Sequence, residues 1–244
     1  MQSAYKEDLA YIHDAGFKAL AENAVSEAID SLRCAGIHNG LIVELGCGSG
    51  ITSRILSNAG FDVMGIDLSE PLVEKARERV PEGRFKIGSF VHTEIPQCVA
   101  VTAIGEVLNY TFDSANNADL RDKLFRRIYQ ALNPGGLMIF DIAGPARAPS
   151  FGSRKTFVEA PDWAVLVEVE ASEDQRHLIR NITTFRRQGD GYRRDREIHR
   201  LELINELELA EHLERTGFRV RRLSRYGSFS LPQGLFGFMA RKPE

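Results

Sequence analysis

At 244 residues with 43% hydrophobic content, the chain can bury a full core as one domain with an insertion, or as one and a half domains. A formal net charge of −3 and a pI near 6.1 exclude a general attraction to nucleic acid or to an anionic membrane surface. The opening MQSAYKEDLAYIHDAG has charges where a secretory signal needs an apolar core, no run approaches 18 apolar residues, and Cys34, Cys47 and Cys98 lack metal-ligand spacing. The expectation is a protein of the reducing cytoplasm with no disulfide, metal or membrane span.

Residues 4–35 read as one or two helices lying over a sheet edge. From about residue 40 to 142, strand and helix signals alternate. LIVEL (41–45) is a short apolar run ended by glycine, a buried strand. ITSRILSNAG (51–60) carries Ile51, Ile55, Leu56 and Ala59 at helical spacing and stops at Gly60, a C-cap signal. FDVMGID (61–67) is the next strand. SEPLVEKARERV (69–80) opens with a serine N-cap and an early proline, then runs as an amphipathic helix. RFKIGSF (84–90) and CVAVTAIG (98–105) read as strands three and four. DLRDKLFRRIYQALNPGG (119–136) is a helix stopped by Asn-Pro-Gly-Gly, and LMIFDIA (137–143) is strand five. Apolar strands alternating with helices argue a doubly wound, mostly parallel α/β sheet with helices on both faces.

The pattern then changes. PARAPSFGSRK (145–155) reads as a loop. WAVLVEVEAS, HLIRNITTFRRQ and YRRDREIHRLELI alternate polar with apolar, the last two joined through Gly-Asp-Gly (189–191), which predicts an inserted three-stranded antiparallel sheet. NELELAEHLERTGF (205–218) returns to helix, and RVRRLSRY and LFGFMARKP close a sheet of seven strands.

The stretch LIVELGCGSG (41–50) sets three glycines on alternate positions after one glutamate. It lies at the end of the first strand, where ligands bind in open α/β sheets. A dinucleotide fingerprint needs G-x-G-x-x-G; here the third glycine falls at 50, with Ile51 in the required place. Glu44 would oppose a diphosphate, whereas S-adenosylmethionine carries a sulfonium and an ammonium that a nearby carboxylate offsets. Asp67 ends the second strand 21 residues after Gly46, about the distance expected for an acid that accepts both ribose hydroxyls.

VELGCGSG followed by GIDLS resembles the first two motifs of class I S-adenosylmethionine-dependent methyltransferases, and ALNPGGLMIFD resembles the family's approach to strand five. The resemblance covers roughly residues 40–142 and returns in the last two strands. It implies that Glu44, Gly46, Cys47, Gly48 and Gly50 line the methionine end of the cofactor, that Asp67 holds the ribose, and that Leu68 packs on adenine. Ser89 and Phe90 occupy the place where many relatives carry an acid that reads the adenine amino group. Ile104 and Gly105 would face the methyl group. Glu106 stands as a base, a contact for the methionine amine or a solvated loop acid, and Tyr110 as a second catalytic candidate. Tyr11, with Tyr5 and His13, belongs to a segment that folds over the cofactor in similar methyltransferases. Asp141 either caps a loop or approaches substrate.

Similar small-molecule methyltransferases carry an insertion after strand five. The resemblance therefore implies a cofactor-binding domain at 37–150 and 204–244, a helical cover at 1–36 and an acceptor-pocket lid at 151–203. The expected partner is a small methyl acceptor with a nitrogen or oxygen nucleophile, not nucleic acid, served by a monomer or homodimer. Two rivals remain: a cofactor-binding protein without turnover and an NAD(P)-dependent oxidoreductase.

Overall fold

The apolar runs of the first half do stack as the strands of one sheet. The computed structural model describes residues 5–244. Two helices come first, α1 (Glu7–Gly16) and α2 (Ala19–Cys34). They are followed by β1 (Leu41–Leu45), α3 (Ile51–Asn58), β2 (Asp62–Asp67), α4 (Glu70–Arg79), β3 (Arg84–Ile87), β4 (Cys98–Ala103), α5 (Ala118–Ala131) and β5 (Leu132–Ala143). The insertion holds β6 (Ser153–Ala160), β7 (Trp163–Ala171), β8 (His177–Gln188) and β9 (Gly191–Glu202). The chain ends with α6 (Glu206–Thr216), β10 (Arg219–Leu223), the short hairpin β11 (Arg225–Tyr226) and β12 (Phe229–Ser230), and β13 (Leu235–Arg241).

The seven-stranded sheet has the order β10-β13-β5-β4-β1-β2-β3. Pairings among β1 to β5 are parallel, and β13 runs antiparallel to both β5 and β10. Both faces are covered, which is why the strands are apolar throughout. Val43, Leu45, Met138 and Phe140 pack with Leu124, Phe125 and Leu213 from α5 and α6 on one side. Ile42, Leu137 and Ile139 pack with Ala28, Leu32 and Leu56 from α2 and α3 on the other. Strand order reverses between β1 and β4, so their carboxyl ends part and open a crevice.

Local chemistry sets the element ends. Ser69 Oγ accepts the Leu72 amide to start α4, Asn117 caps α5, and Asn205 accepts two amides at the start of α6. Such caps are each worth about 1 kcal/mol. Asn-Pro-Gly-Gly does end α5, but β5 already begins at Leu132. Cys98 pairs with Leu132 and Ala100 with Leu137, so residues 133–136 loop out between two rungs.

The inserted antiparallel sheet is present with one strand more than the periodicity shows, in the order β6-β7-β8-β9. The extra strand begins inside the segment read as loop. Seven of its eight residues are exposed, so it is held by main-chain bonds and no apolar alternation marks it. The insertion leaves and re-enters the sheet at one point, where the Ile204 amide donates to the Ala143 carbonyl at 3.0 Å. Among the described residues, no helix is long and apolar enough to cross a membrane.

Candidate active site

A cavity occupies the crevice above β1 and β4. Its empty space, open solvent included, is about 810 Å³. Its floor is the glycine turn. Gly46, Gly48 and Gly50 all have positive φ, at 69°, 53° and 76°, a region that side-chain-bearing residues rarely enter. At Gly48 a Cβ would meet no atom within 4 Å and would project into open space, so glycine there leaves room for a ligand against the backbone. At Gly50 the reason is different: a Cβ would come within 2.9 Å of the Ala76 Cα, so that glycine serves the packing of α3 on α4.

Asp67 reaches the cavity wall from the end of β2. Its Oδ2 accepts the Gly48 amide and its Oδ1 the Ser69 amide, both at 2.9 Å. Burial raises its carboxyl above the usual range, and the two amides partly offset that. Each oxygen keeps lone-pair capacity for a further donor. Leu68 and Phe90 also line the wall, as do Ile104, Gly105 and Tyr110 from the segment after β4. The N-terminal helices close the space with Tyr5, His13, Phe17, Leu20 and Ala21.

Other candidates lie elsewhere. Tyr11 faces the inserted sheet, donating to Asp162 Oδ2 at 2.6 Å beneath the Arg186 guanidinium. Cys47 turns away from the cavity into a cluster with Val73, Ala76, Val80 and Phe85, and burial keeps its thiol protonated. Ser89 accepts the Val91 amide and is not part of the wall. Glu44 is only 2% exposed and lies beneath the turn, accepting a hydrogen bond from Ser53 Oγ. Burial pushes its carboxyl up to about 7.

Glu106 is no free base. It is buried with φ 61°, between Arg147 Nε at 3.0 Å and Arg180 Nη2 at 2.6 Å. Burial pulls its carboxyl upward, but Arg180 and then Arg147 hold it below the usual carboxylate range. Asp141, fully buried at the end of β5, accepts the amides of Gly105 and Glu106, so it fixes this loop as a cap. Burial pushes it up to about 7. Beyond Glu106, the Tyr110 hydroxyl lies 3.0 Å from that of Tyr5 and accepts from Arg180 Nη1 at 3.4 Å. Burial raises both phenols, so at neutral pH both keep their protons. No sequence pattern marks Phe17, Leu20 or Phe112 as wall residues, because each reaches the cavity only through packing between distant segments.

Comparison with known proteins sharpens this picture. Residues 42–136 match the family described as "Methyltransferase domain". YqeM of Bacillus subtilis, named as an inferred methyltransferase, is 25% identical over 76% of each chain. An S-adenosylmethionine-dependent methyltransferase from Clostridium acetobutylicum superposes with a TM-score of 0.80 at 18% identity, covering 96% of this chain and 98% of that one. CalS10, an amino pentose methyltransferase of Micromonospora echinaspora solved with S-adenosylmethionine bound, gives 0.75 at 16% identity over 99% and 100%. Residues 42–136 thus match a methyltransferase family, and the chain as a whole has the class I methyltransferase fold.

S-adenosylmethionine is the cofactor named for these similar proteins, and the residues present here fit it. The space left at Gly48 admits a ligand close to the backbone. Asp67 offers acceptor capacity to a ribose diol, and the remaining wall is largely apolar and aromatic.

Proposed function

We propose that the chain moves a methyl group from S-adenosylmethionine to a small-molecule acceptor with a nitrogen or oxygen nucleophile, by in-line displacement. The observation that carries this reading is a cavity with two unlike kinds of lining. Gly46, Gly48 and Asp67 present main chain and a carboxylate, and Tyr5, Tyr110 and Phe112 present aromatic side chains. Such a recess suits small molecules better than a macromolecular acceptor. The likeness to CalS10, an amino pentose methyltransferase, makes amines the first acceptor class to try.

The cofactor supplies an electrophilic methyl group on a sulfonium. In this reading Asp67 accepts from the ribose hydroxyls, Leu68 and Phe90 hold the adenine, and Gly48 lets the ligand lie against the main chain. The Tyr5 and Tyr110 hydroxyls bond to each other, which leaves one phenol proton to donate to the acceptor and orient it. Orientation alone is worth about 7–11 kcal/mol in favourable cases. Glu106, clamped by the Arg180 and Arg147 guanidiniums, anchors the loop after β4 instead of taking a proton. Residues 151–203 act as the lid of the acceptor end, and 37–150 with 204–244 as the cofactor domain beneath it.

Titration calorimetry with S-adenosylhomocysteine and NAD, followed by incubation with methyl-labelled S-adenosylmethionine and a panel of small amines, carboxylic acids and phenols, tests the proposal. Binding of S-adenosylhomocysteine but not NAD, and label in one acceptor class, is the expected result. Binding of NAD alone overturns it. Binding of S-adenosylhomocysteine with no transfer to any panel member favours a binding protein without turnover.

A further inference from the structure

His199 lies on β9 with its ring 1% exposed, deep enough that both nitrogens need partners. Its Nε2 lies 3.0 Å from Glu197 Oε2, and the other oxygen of Glu197 accepts the Lys6 backbone amide at 2.9 Å. An ionised carboxylate only accepts, so Nε2 carries the proton and Nδ1 presents its lone pair. Among the described residues, no group meets that Nδ1. The ring packs against Phe112, Tyr5 and Tyr110, with centroids 4.8, 5.0 and 5.8 Å away. All three of those residues line the cavity, and His199 lies behind them. An unpaired accepting nitrogen, its ring fixed by a carboxylate, is therefore held behind the aromatic side chains of the cavity wall.

We propose that His199, oriented by Glu197, takes the proton of the methyl acceptor through one bridging water. This rests on the methyltransferase reading above and names the proton acceptor within it. For an amine that arrives as an ammonium ion, one proton passes to Nδ1 and frees the nitrogen lone pair. That pair forms the new bond to the methyl carbon as the carbon–sulfur bond breaks, its electrons staying on sulfur. Glu197 offsets the imidazolium, which returns its proton to solvent after product leaves. This is general-base catalysis by a carboxylate-held imidazole.

The charged and titratable surroundings are consistent with this role. On β9 itself Glu197 touches the ring. From α1 and the residues before it come Tyr5, Lys6 and His13, and the Lys6 ammonium is turned to Asp195 at 3.4 Å. From β8 comes Arg180, the cross-strand partner of His199, whose charge is met by Glu106 at 2.6 Å. Tyr110 completes the set from the segment after β4. The negative charge in direct contact with the imidazole is that of Glu197.

The test is a nuclear magnetic resonance titration of the full chain, isotope-labelled in histidine and saturated with S-adenosylhomocysteine, across the neutral pH range. The His199 signals are identified by their loss in His199→Gln, whose amide still offers Glu197 a donor, or by through-bond correlation if that variant does not fold. The neutral ring is expected to carry its proton on Nε2, with Nδ1 gaining a proton as pH falls. A ring locked in one protonation state throughout, or a neutral form protonated at Nδ1, overturns the proposal. Calorimetry separates the two failures: a wild-type chain that does not bind S-adenosylhomocysteine overturns the methyltransferase reading itself. His199→Gln should bind S-adenosylhomocysteine within about twofold of wild type. It should lower kcat/KM near pH 7 about a hundredfold for an alkylamine that wild type methylates, and much less for amines already unprotonated at that pH. Equal losses for both kinds of amine, or no loss, also overturn it.

Discussion

Gly48 and Asp67 work as one unit. The amide of the glycine aims the carboxylate at 2.9 Å, and the absent Cβ leaves open space beside it. Because Ser69 anchors the second oxygen, the carboxylate needs no reordering when a diol arrives. Asp67→Ala is expected to weaken S-adenosylhomocysteine binding by about 1–3 kcal/mol, the loss typical of charge-assisted hydrogen bonds. An unchanged Kd by calorimetry would remove the ribose assignment. This pair was legible because motif spacing records what the backbone requires. Glu106 was legible only as a charge in the right loop. What decides its chemistry are Arg147 and Arg180, which lie 41 and 74 residues further along the chain, and no local pattern announces partners so distant.

Helix α1 shows the same limit one level up. Its helical character could be read from the sequence, but which face meets the cavity depends on the inserted sheet it packs against. Leu9 and Ile12 join Trp163, Val165 and Ile182 in one cluster, and that docking turns Tyr11 to Asp162 and His13 to the cavity. The chief electrostatic anchor is Asp8, which accepts from Arg193 Nε at 2.6 Å and pairs with Arg186. The Arg193 hydrogen bond, with burial opposing it, holds the Asp8 carboxyl below its usual range. Its contribution is therefore complete above the ordinary carboxylate pKa and is lost as pH falls through the lowered one. Arg193 is partly exposed, so Asp8→Ala should cost about 1–2 kcal/mol, less than a fully buried pair. The variant should melt earlier at neutral pH and release S-adenosylhomocysteine faster in stopped-flow displacement, since the cover is held less firmly. Equal release rates would mean that α1 does not gate the cavity.

Across the whole molecule, the parallel sheet was legible because strands covered on both faces must be apolar along their length. The edge strand β6 was not, because an exposed strand answers to hydrogen bonding rather than to burial. What no local reading supplies is the balance of buried charge. Burial pushes both Glu44 and Asp141 up to about 7, so between the ordinary carboxylate range and pH 7 the folded chain holds protons that the unfolded chain has released. Stability therefore falls as pH rises through that window and levels off above it, by on the order of 3 kcal/mol per group at about 1.4 kcal/mol per pKa unit. At the acid end the order reverses, because Asp8, Asp14 and Glu106 are held below their usual range and lose their stabilising charge only when protonated. The melting temperature of the ligand-free chain should accordingly peak on the acid side of neutrality and decline toward pH 8, as followed by calorimetric scans in a pH series. Glu44→Gln keeps a group that can bond to Ser53 but cannot ionise, so its decline should be shallower than that of wild type. A wild-type profile that stays level or climbs from pH 5 to pH 8 would mean that water or a counter-charge already stabilises the two carboxylates, and that the crevice is less dry than its packing implies.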